Sequence, residues 1–439
     1  MEPQPAEFCL AIMPQNMPLS RRYCAVTLLF LAEFRLFRPE YYTKKRRGFP
    51  SLNGVNLQSM SHYLDHNATA PLLPEALEAM TLAAKEGWAN PSSLHEPGRR
   101  SKQFIEDARE KLAALIQVDP STLVFTGGGT EACNFALFGA VQALQTQHKG
   151  RHLIISAIEH PAIKSGAKSL EEQGWQITWI KPNSDGVIET ESVEKALRQD
   201  TVLCSVMAAN NEVGTVQPIH EIGTLLREKG VLFFCDMTQA LGKLPVDLSK
   251  TPVDLAAFVA HKIGGPKGVG ALYIRKGIRL ESLLRGGGQE RGLRGGTENV
   301  PGIAGYGAAA EWWQQHGDEE RRRVESLRDQ LQSELQKKIP EIKINAANVS
   351  RLPNTLHATF PGCRSDVLVM ALDLRSISAS AGSACASGSV KPSEVLLAMG
   401  RSSEEAMSSS RFSLGFGNTA EEIPAIVEAL AQVCQQAKG

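Results

Sequence analysis

Between residues 120 and 260, short apolar runs alternate with segments of helical spacing. This alternation restricts the fold more than any other feature of the chain. Residues 122–126, 151–156, 176–180, 202–208 and 231–235 are short runs rich in aliphatic, aromatic and β-branched side chains. The stretches 130–144, 161–174 and 219–229 between them carry apolar residues three and four apart, the spacing of one helix face. Strands apolar along their whole length are buried on both faces, and intervening helices supply the crossovers that parallel strands need. The pattern predicts an α/β fold with a mainly parallel sheet covered by helices, its strands buried.

The pattern changes after residue 311. Residues 319–338 read as a long charged helix with acids and bases three and four apart. Strand-like 341–345 and 354–360, helices near 366–373 and 392–399, a strand at 410–414 and a final helix over 420–436 then form a smaller α+β unit. At 439 residues the chain is long enough for two or three domains. The predicted division is an extension over 1–59, an N-terminal segment over 60–75 that packs with the small domain, a large domain over 76–320 and a small domain over 321–439.

Lys and Arg number 47, as do Asp and Glu, so no net charge draws the protein to nucleic acid or to an anionic membrane. The eight cysteines are dispersed, with no C-x-x-C pair and no zinc-like spacing. That usage fits a reducing compartment, and the expected location is cytoplasmic. Residues 1–59 carry eight Lys and Arg against four acids. The apolar run at 23–32 is too short for the roughly 20 residues that span a bilayer. The leading expectation for 1–59 is a disordered extension or an upstream start codon chosen in error. A targeting segment is the alternative.

Two separated motifs carry the chemistry. His261-Lys262 ends an apolar run and precedes a glycine-rich turn. A lysine amine partly desolvated there loses basicity and suits a Schiff base. Cys385 sits among Ser, Gly and Ala, with no large apolar packer beside it, on what reads as a mobile loop. The alternative for a cysteine is a small buried hydrophobe, the reading given to Cys133, Cys204 and Cys235. Together the motifs point to pyridoxal-phosphate chemistry coupled to a cysteine nucleophile.

Other residues fall at predicted carboxyl ends of strands, where ligands of parallel sheets sit. Gly127, Gly128, Gly129 and Thr130 open a helix and could cradle a phosphate, or form only a tight turn. Asp236 could hold a pyridine nitrogen protonated, or cap a turn, with Gln239 three residues on. His160 could stack on a cofactor ring and move protons, or be structural. Asn210 or Asn211 could bond a ring hydroxyl, or shape the turn. Arg411, by contrast, heads a predicted strand and could bind a carboxylate through both oxygens, or form a surface ion pair. Residues 285–297, glycine-rich and basic, read as an anion-binding loop or as a linker.

These motifs, with Tyr63-Leu-Asp-His-Asn-Ala-Thr69, Asn90-Pro-Ser-Ser-Leu-His95 and Ser383-Ala-Cys-Ala-Ser387, resemble those of the NifS-like cysteine desulfurases. Those are pyridoxal-phosphate-dependent members of the class-V aminotransferase family. The resemblance runs from about residue 63 to the C-terminus. It implies a fold-type I enzyme with a seven-stranded, mainly parallel sheet and a smaller α+β domain. It implies that Lys262 carries the cofactor, that His160 stacks on its ring and assists proton transfer, and that Asp236 pairs with the pyridine nitrogen. Asn211 and Gln239 would hold the ring hydroxyl side. Gly129, Thr130 and His261 would bind the phosphate, and Thr297 would reach the cofactor of a second subunit, which implies a homodimer. Arg411 would clamp the carboxylate of L-cysteine, and Cys385 would accept its sulfur as a persulfide. An iron–sulfur scaffold or a tRNA thiolation enzyme would then take the sulfur; no direct nucleic-acid or membrane contact is expected. Val259 departs from the family, which usually offers a Ser hydroxyl to the phosphate. Phe416 stands where an Arg is common, and His66 where an Asn is. The competing readings are a selenocysteine lyase, an aminotransferase, and a sulfur-delivery scaffold with little activity.

Overall fold

The computed structural model describes residues 62–146, 150–381 and 391–438. The extension over 1–59 and Cys385 lie outside the described residues. The first strand, β1 (His62–Tyr63), is short. Seven strands follow: β2 (Leu123–Thr126), β3 (His152–Ser156), β4 (Gln176–Ile180), β5 (Thr201–Ser205), β6 (Leu232–Asp236), β7 (Leu255–Val259) and β8 (Gly270–Ile274). They form one sheet in the order β2-β8-β7-β6-β5-β3-β4. The five neighbours from β7 to β4 run parallel, and β8 is antiparallel to both β7 and β2. All the strands but β8 therefore point one way, and the carboxyl ends of β2, β3, β5, β6 and β7 share one edge.

The apolar runs become these strands because they can be covered on both faces. Every residue of β2, β3, β5, β7 and β8 is buried. One strand departs from its predicted setting. β4 was expected to be buried, but it lies at one edge of the sheet with little cover, and only Ile180 of its five residues is buried. Its alternating Gln-Ile-Thr-Trp-Ile reflects this one-sided cover.

The second sheet is built from β9 (Lys343–Ile344), β10 (Thr355–Thr359), β12 (Ser380–Ala381) and β13 (Ser409–Ser413), in the antiparallel order β12-β13-β10-β9. The remaining strand, β11 (Ile377–Ser378), pairs in parallel with β1. A further bridge joins Asp65 to Ser413. Residues 62–65 thus pack against the second sheet.

A single helix, Val300–Lys338, serves both cores. Tyr306, Ala309, Ala310 and Trp313 face the core of the large sheet. Val324, Leu327, Leu331 and Leu335 face the second core. The sequence pattern places the start of this helix near residue 319, because its first part has no polar face. Small residues let this part lie close to the helix Glu96–Ile116: a Cβ on Gly307 would come within 2.6 Å of Ala108. Among the described residues, no helix is long and apolar enough to cross a membrane.

Candidate active site

The strand alignment gathers the predicted residues at one edge of the large sheet. Lys262 ends a 3-10 turn, Ala260–Lys262, that directly follows β7. Asp236 is the buried last residue of β6. Its Oδ1 accepts the Thr238 N–H at 2.9 Å, so it does shape the following turn, and its Oδ2 lies 3.8 Å from Cys133 Sγ. His160 caps the helix Pro161–Glu172 through Nδ1, which accepts the Ala162 N–H at 3.1 Å. Burial lowers the His160 pKa; Asp236 opposes this, while Lys262 and Lys164 add to it. A neutral imidazole near pH 7 therefore faces both the carboxylate and the amine. The His261 pKa is lowered to about 4, by burial and by the charge of Lys262. Its Nδ1 lies 3.1 Å from Thr69 Oγ1.

The loop after β5 separates the two asparagines by role. Asn210 Oδ1 accepts the N–H groups of Glu212 and Val213 at 2.9 and 3.0 Å, so Asn210 shapes the turn. Asn211 presents its carbonyl to Arg411 Nη1 at 2.8 Å. After β2, Gly129 and the exposed Thr130 open the helix Gly129–Thr146. A Cβ on Gly129 would sit 3.4 Å from Thr238 Cγ2 and 3.5 Å from Val259 Cβ, so these two side chains border the helix start. The unpaired N–H groups of such a start favour an anion.

Arg411 lies in the middle of β13, not at its head as expected. Its Nη2 donates to Asp65 Oδ1 at 2.6 Å, and among the described residues its buried Nε has no partner. The carboxylate-binding candidate thus reaches the large-sheet edge through Asn211, with donor capacity to spare.

Sequence reasoning missed the residue that ties these parts together. Asn67 is buried and uses all four of its polar atoms. Its N–H donates to Ser413 Oγ at 2.9 Å, and its Nδ2 to Thr355 Oγ1 at 2.9 Å and to the Asn211 carbonyl at 3.2 Å. Its Oδ1 accepts from Lys243 Nζ at 2.8 Å and from Asn354 Nδ2 at 3.0 Å. Its carbonyl accepts from Gln239 Nε2 at 2.9 Å and from Lys262 Nζ. Lys262 also donates to the Ala68 carbonyl at 2.7 Å. Lys243 was missed as well. The only signal for either was position: Asn67 inside the Tyr63–Thr69 motif, and Lys243 one helical turn beyond Gln239.

The glycine-rich stretch 285–297 is anchored rather than a solvated linker. Glu290 is buried, accepts the Phe125 N–H at 2.9 Å and pairs with Arg109 at 2.8 Å. Arg294 pairs with Glu131 at 2.9 Å, beside the Gly129 helix start. Thr297 is exposed, and among the described residues no hydrogen bond joins it to the cluster around Lys262. Cys385 lies outside the described residues.

An amine, a neutral imidazole, a carboxylate, an amide and an anion-binding helix start thus share one edge, with an arginine from the second sheet. This set can hold a phosphorylated aromatic aldehyde together with a carboxylate substrate. The family described as aminotransferase class-V matches residues 62–426. The chain belongs to the class-V aminotransferase family. The cysteine desulfurase IscS of Dictyoglomus turgidum is 41% identical over 374 residues, covering 85% of this chain and 94% of its own. A solved NifS-like protein matches with a TM-score of 0.80 and 37% identity, over 86% of this chain and 100% of its own. The structure of SspA in complex with cysteine matches with a TM-score of 0.71 and 36% identity, over 81% and 99%. Within its family the chain stands with the NifS-like cysteine desulfurases.

Proposed function

We propose that this protein is a cysteine desulfurase that converts L-cysteine to L-alanine and passes the sulfur to Cys385 as a persulfide, using pyridoxal 5'-phosphate bound at Lys262. The observation that carries this reading is the meeting of Lys262, His160, Asp236 and Gln239 at one sheet edge, with Arg411 bonded to Asn211 at that same edge. The donor set fits the cofactor. Lys262 would hold its aldehyde carbon and Asp236 its ring nitrogen. His160 would lie against the ring, and Asn211 and Gln239 on its hydroxyl side. Gly129, Thr130 and His261 would surround the phosphate. Val259 offers no hydroxyl there, which weakens phosphate binding by one hydrogen bond.

When bound, pyridoxal phosphate supplies an electron sink for the charge left on the substrate Cα. Arg411 orients the substrate carboxylate with planar paired donors. Lys262 takes the Cα proton and returns it, and the neutral His160, whose Nδ1 accepts the Ala162 N–H, would offer its Nε2–H to the proton transfer. The thiolate of Cys385 attacks the substrate sulfur. An S–S bond forms as the Cβ–S bond breaks, and Cβ keeps the electron pair and takes a proton to become the alanine methyl.

The same reading makes Thr297 a contact to a second subunit's phosphate, and the enzyme a homodimer. The acceptor of the persulfide sulfur is an iron–sulfur scaffold or a tRNA thiolation enzyme, and the location is cytoplasmic. The domain division follows: 60–75 packs with the small domain 321–439, and 76–320 forms the cofactor-binding domain. Alanine and sulfide release from L-cysteine with a reductant tests the function. Wild type turns over, and Lys262→Ala and Cys385→Ala do not. Full activity in Cys385→Ala would replace the persulfide step with direct lysis.

A further inference from the structure

Lys243 carries a buried amine that the mechanism above does not use. It is only 5% exposed, and its amine bonds two side-chain amide oxygens, Asn67 Oδ1 at 2.8 Å and Gln239 Oε1. The charges bearing on it are those of Lys262 and Arg411, and with burial as the main cause they hold its pKa well below the lysine range. In the structure its Nζ is placed as a hydrogen-bond donor to both oxygens.

That donor decides the orientation of Gln239. A glutamine amide has an acceptor end and a donor end of nearly the same shape. Lys243 Nζ donates to the oxygen, and Nε2 faces the other way, where it donates to the Asn67 carbonyl at 2.9 Å. Lys262 Nζ donates to that same carbonyl oxygen. The amide nitrogen of Gln239 is thereby brought beside the Lys262 amine, with a second N–H still to give.

We propose that Lys243 is a positioning residue for the cofactor: it locks the Gln239 amide so that an N–H faces the cofactor's ring hydroxyl beside Lys262. The inference rests on the cofactor assignment made above. A donor at the ring oxygen draws density away from the proton shared with the neighbouring nitrogen. Losing it raises the pH at which the visible band of the lysine-bound cofactor titrates.

The test measures two quantities in Lys243→Met, Gln239→Leu and the double variant: the cofactor dissociation constant and the midpoint pH of the visible band. Lys243→Met is expected to weaken cofactor binding about 10-fold and to raise the midpoint. Gln239→Leu should do the same, and the double variant should be no worse than either single. Independent, multiplying effects or an unchanged midpoint in Lys243→Met overturn the proposal. If Lys243→Met does not fold, Lys243→Gln, which keeps a donor for Gln239, decides. A wild-type midpoint supports the proposal, and a midpoint matching Gln239→Leu overturns it. Borohydride reduction and peptide mapping of wild type test the underlying assignment separately. No cofactor label on Lys262 would end that assignment, whereas a labelled Lys262 with a normal Lys243→Met would end only the role of Lys243.

Discussion

Two arginine–carboxylate pairs in this protein have similar lengths and opposite character. Arg109 and Glu290 are 3% and 2% exposed, and two bonds of 2.8 Å join them. Glu290 also accepts the Phe125 N–H, and Arg109 also donates to the Leu123 carbonyl at 2.9 Å and to Glu106. Arg411 and Asp65 share one bond of 2.6 Å; the arginine is 4% exposed and the aspartate 21%. Among the described residues, Arg411 keeps an unpartnered Nε. The first pair is saturated and dry, so it can only hold the 285–297 loop against β2. The second has spare donors and a partner that reaches water, so it can take up a different carboxylate. Local saturation, and not bond length, separates a fastening from a binding group.

The comparison breaks most easily at the closed pair. Glu290→Gln leaves Arg109 buried without its countercharge, which typically costs about 3–5 kcal/mol. Urea denaturation at pH 7 should show that loss. A loss below about 1 kcal/mol would mean that water or Glu106 replaces Glu290, and that the pair is not closed.

Acid probes the open region. His66, next to Asp65, is buried, and its Nδ1 lies 3.1 Å from the Ser413 carbonyl. Burial is the main cause that lowers its pKa to about 4. Its folded value lies below its unfolded one, so its contribution to stability is complete above about pH 6.5 and is lost as pH falls toward 4. The expected loss across that range is about 3 kcal/mol. His66→Asn should remove most of this slope in denaturation at pH 7 and pH 4.5; an unchanged slope would place the acid sensitivity elsewhere.

The smallest effect on stability belongs to Arg411→Lys. Lysine keeps the charge but cannot meet both carboxylate oxygens in one plane. KM for L-cysteine should rise roughly 30-fold, about 2 kcal/mol, while denaturation midpoints stay within about 1 kcal/mol. A stability loss as large as that of Glu290→Gln, with KM unchanged, would make Arg411 a fastening too.

The sequence was most readable where one strand end carries one functional residue. His261-Lys262 after β7 and Asp236 at the end of β6 stand next to apolar runs, and the parallel topology brings their ends together. The contacts that complete the site left no such trace. Asn67 and Lys243 are 176 residues apart, and Arg109 and Glu290 are 181 apart. No local periodicity encodes such a meeting. The first half of the helix Val300–Lys338 was hidden for a related reason. Its residues 300–310 are enclosed by other elements, and a helix without a polar face carries no 3.6-residue signal. The burial of β4 was misjudged because cover depends on what packs over each end of the sheet: β2, at the opposite edge, is fully buried, and β4 is not.

The central claim is that Lys262 and Cys385 work in one reaction, although the two residues are far apart in the chain. Mass spectrometry of the protein after one round of exposure to L-cysteine, without reductant, tests it directly. The account predicts the added mass of one sulfur on the peptide containing Cys385 in wild type, and none in Lys262→Ala. Sulfur on Cys385 in Lys262→Ala, or alanine release from wild type with Cys385 unmodified, would contradict it.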